Sequence, residues 1–236
     1  MKTYAFVFAR GGSKGLPGKN IRPMAGKPLL AYSIEIAKRI KSIDDVFIST
    51  DDAQIQNVAH QLGAKVISRP VELAMDDTPE WLAWQHAIEY VRKAERTFDK
   101  FISIPTTAPL RNEEDIENCL DALSENNDVV VTVTESSRSP WFNMLKLNNS
   151  GMASLLFSGK SKFTRRQDAP KTYDMTTVAY VAWPGFIMKA NGIFEGRVKA
   201  VKIPKERALD IDTELDFVIA ECLFEKREQY VGGADA

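Results

Sequence analysis

The sequence predicts an α/β fold built on a mostly parallel sheet, and three observations predict it. Short apolar runs alternate with longer amphipathic segments as far as Thr134. A glycine-rich loop closes the first of these runs. The chain of 236 residues, 44% hydrophobic and 27% charged, is long enough to bury one sizeable core. Strand–helix alternation of this kind calls for parallel strands joined by crossover helices. Ligands of such sheets sit beyond the carboxyl ends of the strands, where the glycine loop lies.

The elements follow in order. Strands are expected at Tyr4–Ala9, Val46–Thr50, Lys65–Ser68, Phe101–Ile104 and Val129–Val133, each a short apolar run. Helices are expected at Leu29–Ile40, Ala53–Leu62, Trp81–Ala94 and Glu113–Leu123. In the first, Leu30, Ile34, Ala37 and Ile40 recur at the spacing of one helix face. The pattern breaks at Glu135. From there to Tyr173 the chain is polar and turn-rich, with Trp141, Phe142, Leu155 and Phe157 scattered through it. This stretch reads as an arm, 135–173, inserted into a core formed by 1–134 and 174–236. Strands return at Val178–Ala182 and Val198–Ile203, and a helix from about Glu214 to Tyr230 closes the fold.

Charge and cysteine usage exclude several classes. Lys and Arg number 31 against 32 Asp and Glu, a net charge near −1. A nucleic-acid partner held by a broad positive field is therefore not expected. Cys119 and Cys222 lie far apart without a CxxC partner, as reduced thiols do in the cytosol. Two histidines, His60 and His86, are too few for a His/Cys zinc site. No segment approaches the ~20 apolar residues of a membrane span, and the N-terminal apolar run is too short for a signal sequence. A cytoplasmic protein without membrane contact is expected.

The loop Ala9-Arg-Gly-Gly-Ser-Lys-Gly-Leu-Pro-Gly-Lys-Asn20 holds four glycines, two lysines and an arginine. Glycines let backbone N–H groups approach an anion closely, and successive amides form an anion nest. With Arg10, Lys14 and Lys19 around it, the loop reads as a polyphosphate cradle rather than a plain basic turn. It is not a Walker A loop, because five residues separate Gly12 from Gly18 and Asn20 follows Lys19. Nor do Gly11, Gly12, Gly15 and Gly18 make a dinucleotide fingerprint. Near the other end, Asp210 and Asp212 flank Ile211, so in extended chain both carboxylates face one way. They suit either a Mg²⁺ ion beside phosphate oxygens or the start of the final helix, for which Thr213 is the better cap. Asp51 and Asp52 are better read as a cap for the second helix than as ligands.

The stretch "ARGGSKGLPGKNIRPMAGKPLL" resembles the signature of the acylneuraminate cytidylyltransferase family. "FISTDD", "RPVELAMDDTP", "PLR", "RRQDAP" and "LDIDTELDF" follow in the same order, from Ala5 to Phe217 overall. The resemblance implies a three-layer Rossmann-like nucleotidyltransferase sheet with a small dimerisation arm, and hence a homodimer. It implies attack of an acidic sugar's hydroxyl on the α-phosphate of CTP, with Mg²⁺ on Asp210 and Asp212. Ala9, Arg10, Gly11, Gly12, Ser13, Lys14, Gly15, Lys19 and Asn20 would then bind the nucleotide. Lys19 is expected at the α-phosphate, and Arg10 and Lys14 at the outer phosphates. Asn20, Arg69 and Thr78 are placed around base and ribose, although Arg69 also suits a buried Arg-Pro turn. Arg165, Arg166 and Gln167 in the arm, with Tyr180 behind it, are the candidates for the sugar carboxylate; a merely solvated arm is the alternative. Pro105 and the segment Met175–Tyr180 depart from the sialic-acid type, so another nonulosonic sugar or acceptor fits as well. A guanylyl- or other nucleotidyltransferase, or a silent nucleotide-binding protein, remains the rival reading.

Overall fold

Apolar side chains that alternate along the strands sort themselves onto two faces of one sheet. The computed structural model describes residues 1–13, 15–94, 97–157 and 163–231, the last five of these as backbone only. In chain order the elements are β1 (Thr3–Phe8), β2 (Pro23–Met24), β3 (Lys27–Pro28), α1 (Leu29–Arg39), β4 (Asp45–Thr50), α2 (Ala53–Gln61), β5 (Lys65–Ser68), α3 (Glu80–Lys93) and β6 (Lys100–Ser103). Then come α4 (Glu113–Ala122), β7 (Val129–Glu135), β8 (Leu145–Leu147), β9 (Ala153–Leu155), β10 (Tyr173–Ala182), α5 (Pro184–Ile187), β11 (Val198–Lys202) and α6 (Glu214–Val231). Seven strands form the main sheet in the order β11-β7-β10-β6-β1-β4-β5. β1 pairs in parallel with β4 and β6, β4 with β5, and β7 with β11; β10 alone runs antiparallel, between β6 and β7. The mostly parallel sheet is as expected.

Along β1, Ala5 and Val7 face α1, α2 and α4, while Tyr4 and Phe6 face α3 and α5. Three layers result. Phe6 is fully buried and stacks on Phe101 and Phe47, with ring centroids 4.8 and 5.4 Å away. On the opposite layer Leu30, Ile34, Ala37 and Ile40 pack into the core, the four positions that the helical spacing selects. α6 closes a smaller cluster through Phe217 and Ala220, which meet Leu16, Met24, Leu29 and Ile211. That cluster joins the last helix to the loop after β1.

Two features differ from the expectation. β10 starts at Tyr173, upstream of Val178, and is irregular between Thr176 and Tyr180. Its first half is polar and half-exposed, so no apolar run announces it. The arm is a small β8–β9 hairpin outside the main sheet. Of its four large apolar residues only Phe157 is exposed, while Trp141, Phe142 and Leu155 are half-buried, and the Trp141 and Phe157 rings lie 5.6 Å apart. Met144, Leu145, Leu147, Met152 and Leu156 of the arm are exposed as well.

Strand order places the site. The chain passes from β1 to β4 on one side, and β6 takes the other side of β1. A crevice opens where such an order reverses, at the carboxyl ends of β1 and β6. Among the described residues no helix is long and apolar enough to cross a membrane.

The two cysteines are predicted to differ. Cys119 is fully buried on α4, and burial pushes its thiol up to about 12, whereas Cys222 is exposed on α6. A chromogenic disulfide reagent at pH 8 is expected to titrate one thiol quickly in the native protein and both in urea. Two fast native thiols would contradict the packing of α4.

Candidate active site

The loop after β1 is fastened at both ends. At its start Ala9 is buried and donates its N–H to the Ser49 carbonyl at 3.1 Å. Two residues on, the Gly11 N–H donates to Asp51 Oδ1 at 3.0 Å. Asp52 caps α2, accepting from the Gln54 and Ile55 N–H groups at 2.8 and 2.9 Å, as expected for the pair. Asp51 instead holds the glycine loop, a contact that its position after a strand does not announce. At the far end, Gly18 turns the chain with φ of +69°, a conformation that disfavours side chains.

Lys19 follows and is buried. Its ammonium donates to the Ile211 carbonyl at 2.5 Å and to Asp212 Oδ1 at 3.2 Å. An ammonium has three donors, so one remains for a further acceptor. Gly15 lies against the same segment: a Cβ there would come within 2.4 Å of the Asp212 carbonyl oxygen. Asn20 is placed by two bonds, donating to the Arg10 carbonyl at 3.0 Å and accepting from Thr106 Oγ1 at 2.6 Å. Thr106 belongs to the turn after β6, and that turn reaches the acidic segment too, because the Ile211 N–H donates to the Thr107 carbonyl at 2.8 Å.

Between these parts lies a cleft of about 390 Å³, lined by Arg10, Ser13, Lys19, Asn20, Thr106 and Asp212 among others. A neighbouring cleft of about 280 Å³ shares Phe8 and Arg10 with it and adds Arg69, Thr78 and Glu80. Arg69 is buried, donates to Ser49, and lies 5.5 Å from the Phe8 ring centroid. Burial holds its guanidinium below the usual arginine range. Arg10 pairs with Asp76 at 2.9 Å, so its charge is partly balanced on the protein. Gly12 faces open space, and Lys14 lies outside the described residues.

The acidic pair divides. Asp212 is exposed, with Lys19 as its side-chain partner. Asp210 Oδ1 is buried without a hydrogen-bond partner among the described residues. The helix start does not need either one. Thr213 caps α6 by a reciprocal pair with Asp216: the Thr213 N–H donates to Asp216 Oδ2 at 2.8 Å, and the Asp216 N–H to Thr213 Oγ1 at 3.3 Å. No group of three or more metal-ligating side chains occurs among the described residues. An ion here would take two carboxylates and complete its shell elsewhere.

The sugar-side candidates are not at this cleft. Arg165 pairs with Asp168 at 3.0 Å, and Arg166 donates to the Ser137 carbonyl at 2.8 Å; Gln167 follows Arg166 in the same short turn. Arg166 lines a separate cleft of about 510 Å³ with Ser136, Lys202 and Lys205, at the ends of β7 and β11. β7 is three strands from β1, about 14 Å across the sheet. Tyr180 is buried in the aromatic core with its ring 5.6 Å from Trp84, and burial pushes its phenol up to about 12. Thr106, Thr107 and Asp51 are the site residues that sequence reading misses. Only the place of "PTT" after a strand at the crevice signals the first two.

The family described as cytidylyltransferase matches residues 4–231. A CMP-N,N'-diacetyllegionaminic acid synthase of Campylobacter jejuni is 34% identical over 220 residues, 92% of each chain. The post-translational flagellin modification protein B of Campylobacter coli is 32% identical, with 94% of each chain covered. A pseudaminic acid cytidylyltransferase of Campylobacter jejuni is 30% identical over 95% of this chain and 97% of its own. Among solved structures, CMP:2-keto-3-deoxy-manno-octonic acid synthetase complexed with CTP superposes with a TM-score of 0.69 at 18% identity. That match covers 96% of this chain and all of the other (100%), and it speaks for the fold.

The close approach at Gly15 gives a test. Gly15→Ala must push the Asp212 backbone away from the loop, while α6 keeps its own cap. kcat/KM is expected to fall at least about 10-fold, in line with the cost of small misplacements at a site, with the urea midpoint little changed. A variant with parental kinetics would show that the loop and the acidic segment do not act together.

Proposed function

The chain belongs to the cytidylyltransferase family, and we propose that it activates an acidic, nonulosonic sugar by transferring CMP from CTP. The observation that carries this reading is the unused donor of Lys19, held in a cleft between the glycine loop and Asp212. A triphosphate along that loop meets backbone N–H groups, Arg10 and Lys19. The sugar hydroxyl oxygen attacks the α-phosphorus and gives up its proton to solvent, the bond to the β-phosphate oxygen breaks, and pyrophosphate leaves with that bond's electron pair. Negative charge grows on the phosphate oxygens, so positioned cations contribute most of the catalysis. The neighbouring cleft with Arg69 and Thr78 receives base and ribose. Relatives whose names give legionaminic and pseudaminic acids support the sugar class.

Asp210 and Asp212 are the residues that would hold Mg²⁺. An orphaned buried oxygen on one, an exposed carboxylate on the other and no third acid suit an ion that binds one or two carboxylates plus substrate phosphates. Mg²⁺ supplies charge neutralisation to the triphosphate. Lys19 keeps the Asp212 carboxylate at the cleft and presents its third N–H to the reacting phosphate. We place the reaction in the cytoplasm, where CTP is available.

Incubation with Mg²⁺, each nucleoside triphosphate and a panel of acidic sugars is expected to release pyrophosphate with CTP and a nonulosonic acid. Release with another triphosphate, or none with any sugar, would reject the assignment. Lys19→Ala is expected to lower kcat roughly 10²–10³-fold with a smaller change in KM for CTP. A change confined to KM would leave Lys19 as a binding residue only.

The arm carries a second proposal, a two-fold dimer. Leu145 and Leu147 on β8, with Met152 and Phe157, lie exposed on a hairpin too small to bury them itself. A partner would cover them and bring Arg165, Arg166 and Gln167 toward its own sugar site. Light scattering at micromolar concentration is expected to give twice the chain mass. A monomer would reject both the dimer and the shared site.

A further inference from the structure

Arg111 is a charged side chain that the transfer mechanism above does not use, yet it is buried beside the site. Its guanidinium donates to Ser33 Oγ at 2.8 Å, to the Pro105 carbonyl, and weakly to the Thr177 carbonyl at 3.4 Å. Ser33 Oγ itself donates to the Pro105 carbonyl at 2.9 Å. One side chain thus fastens α1, the irregular part of β10 and the turn after β6. That turn carries Thr106, which orients Asn20, and Thr107, whose carbonyl receives the Ile211 N–H.

Two buried polar atoms at this place lack partners among the described residues: Arg111 Nε and Asp210 Oδ1. They are an orphaned donor and an orphaned acceptor of opposite charge, and the Asp210 charge favours the charged guanidinium. The other nearby acid, Asp115, is already neutralised, since both its oxygens accept from Arg207 at 2.9 Å. Asp115 nonetheless favours the charged guanidinium, more strongly than Asp210, and Asp210 adds to it. Burial outweighs the two acids and still draws the guanidinium down to about 9, so a carboxylate close by stabilises its charged form.

We propose that Arg111 is a positioning residue for the transfer, holding Asp210 by charge and the turn after β6 by hydrogen bonds. The proposal rests on the assignment of Asp210 as a metal-holding residue. Residues that orient a metal ligand from behind typically change metal affinity or activity about 10- to 100-fold when lost.

The test compares Arg111→Met, Arg111→Lys, Ser33→Ala and Asp210→Asn with the parent. Mn²⁺ binding is read by electron paramagnetic resonance in the presence of CTP without sugar. Steady-state kinetics give kcat and KM for CTP, and urea unfolding reports the fold. Arg111→Met is expected to weaken Mn²⁺ binding about 10- to 100-fold and to lower kcat more than it raises KM. Arg111→Lys should recover part of both, and Ser33→Ala should move both slightly the same way. A folded Arg111→Met with parental Mn²⁺ affinity, alongside a weakened Asp210→Asn, overturns the role of Arg111 alone. Parental affinity in Asp210→Asn overturns the metal assignment and the proposal with it. If Arg111→Met does not fold, parental Mn²⁺ affinity in both Arg111→Lys and Ser33→Ala overturns the proposal.

Discussion

The Lys19 ammonium joins residues 192 apart in the chain, with the Ile211 carbonyl on one side and Asp212 on the other. An unpaired buried ammonium is costly, so the two segments must meet for Lys19 to be accommodated. The N-terminal loop and the segment before α6 are each irregular, and neither has a regular sheet or helix ladder to fix it. Their mutual contact supplies that constraint. Gly15 lets the backbones close, Leu16 and Ile211 share a small apolar cluster, and Thr107 pins Ile211 from the β6 side. The cleft exists because these three stretches converge on it.

Much of this was legible in the sequence, for physical reasons. Strands buried on both faces must be nearly all apolar, so β1, β4, β6 and β7 announce themselves. The glycine loop was legible because a positive φ at Gly18 and the close approach of Gly15 to the Asp212 backbone demand glycine. Asp210 and Asp212, in contrast, do not share one side: Asp210 has a buried oxygen and Asp212 is exposed. Other parts were hidden. The polar half of β10 pairs with β7 at an irregular stretch where side-chain alternation fails, and β8 and β9 are exposed three-residue strands. The contact of Asp51 with Gly11, and of Arg111 with Ser33, are choices among many polar partners far apart in sequence. No local pattern encodes them.

The site is unequal in what a single chain provides. The side proposed for the nucleotide consists of two adjoining clefts that share Phe8 and Arg10. The arm arginines stand at the other end of the sheet, already bonded to Asp168 and to backbone carbonyls. This division fits a family in which the nucleotide chemistry is common and the acceptor varies. Under the proposed function the core would hold the phosphate machinery and the arm would take part in acceptor recognition.

The central claim is that Lys19 and Asp212 act as one unit on the reacting phosphate. A double-mutant cycle of Lys19→Met and Asp212→Asn, read in kcat/KM for CTP, tests it most directly. Partners in one unit show strong coupling, with the double variant hardly worse than the poorer single variant. If the two losses instead multiply, the ammonium and the carboxylate work independently, and the contact between the ends of the chain is only a structural tie.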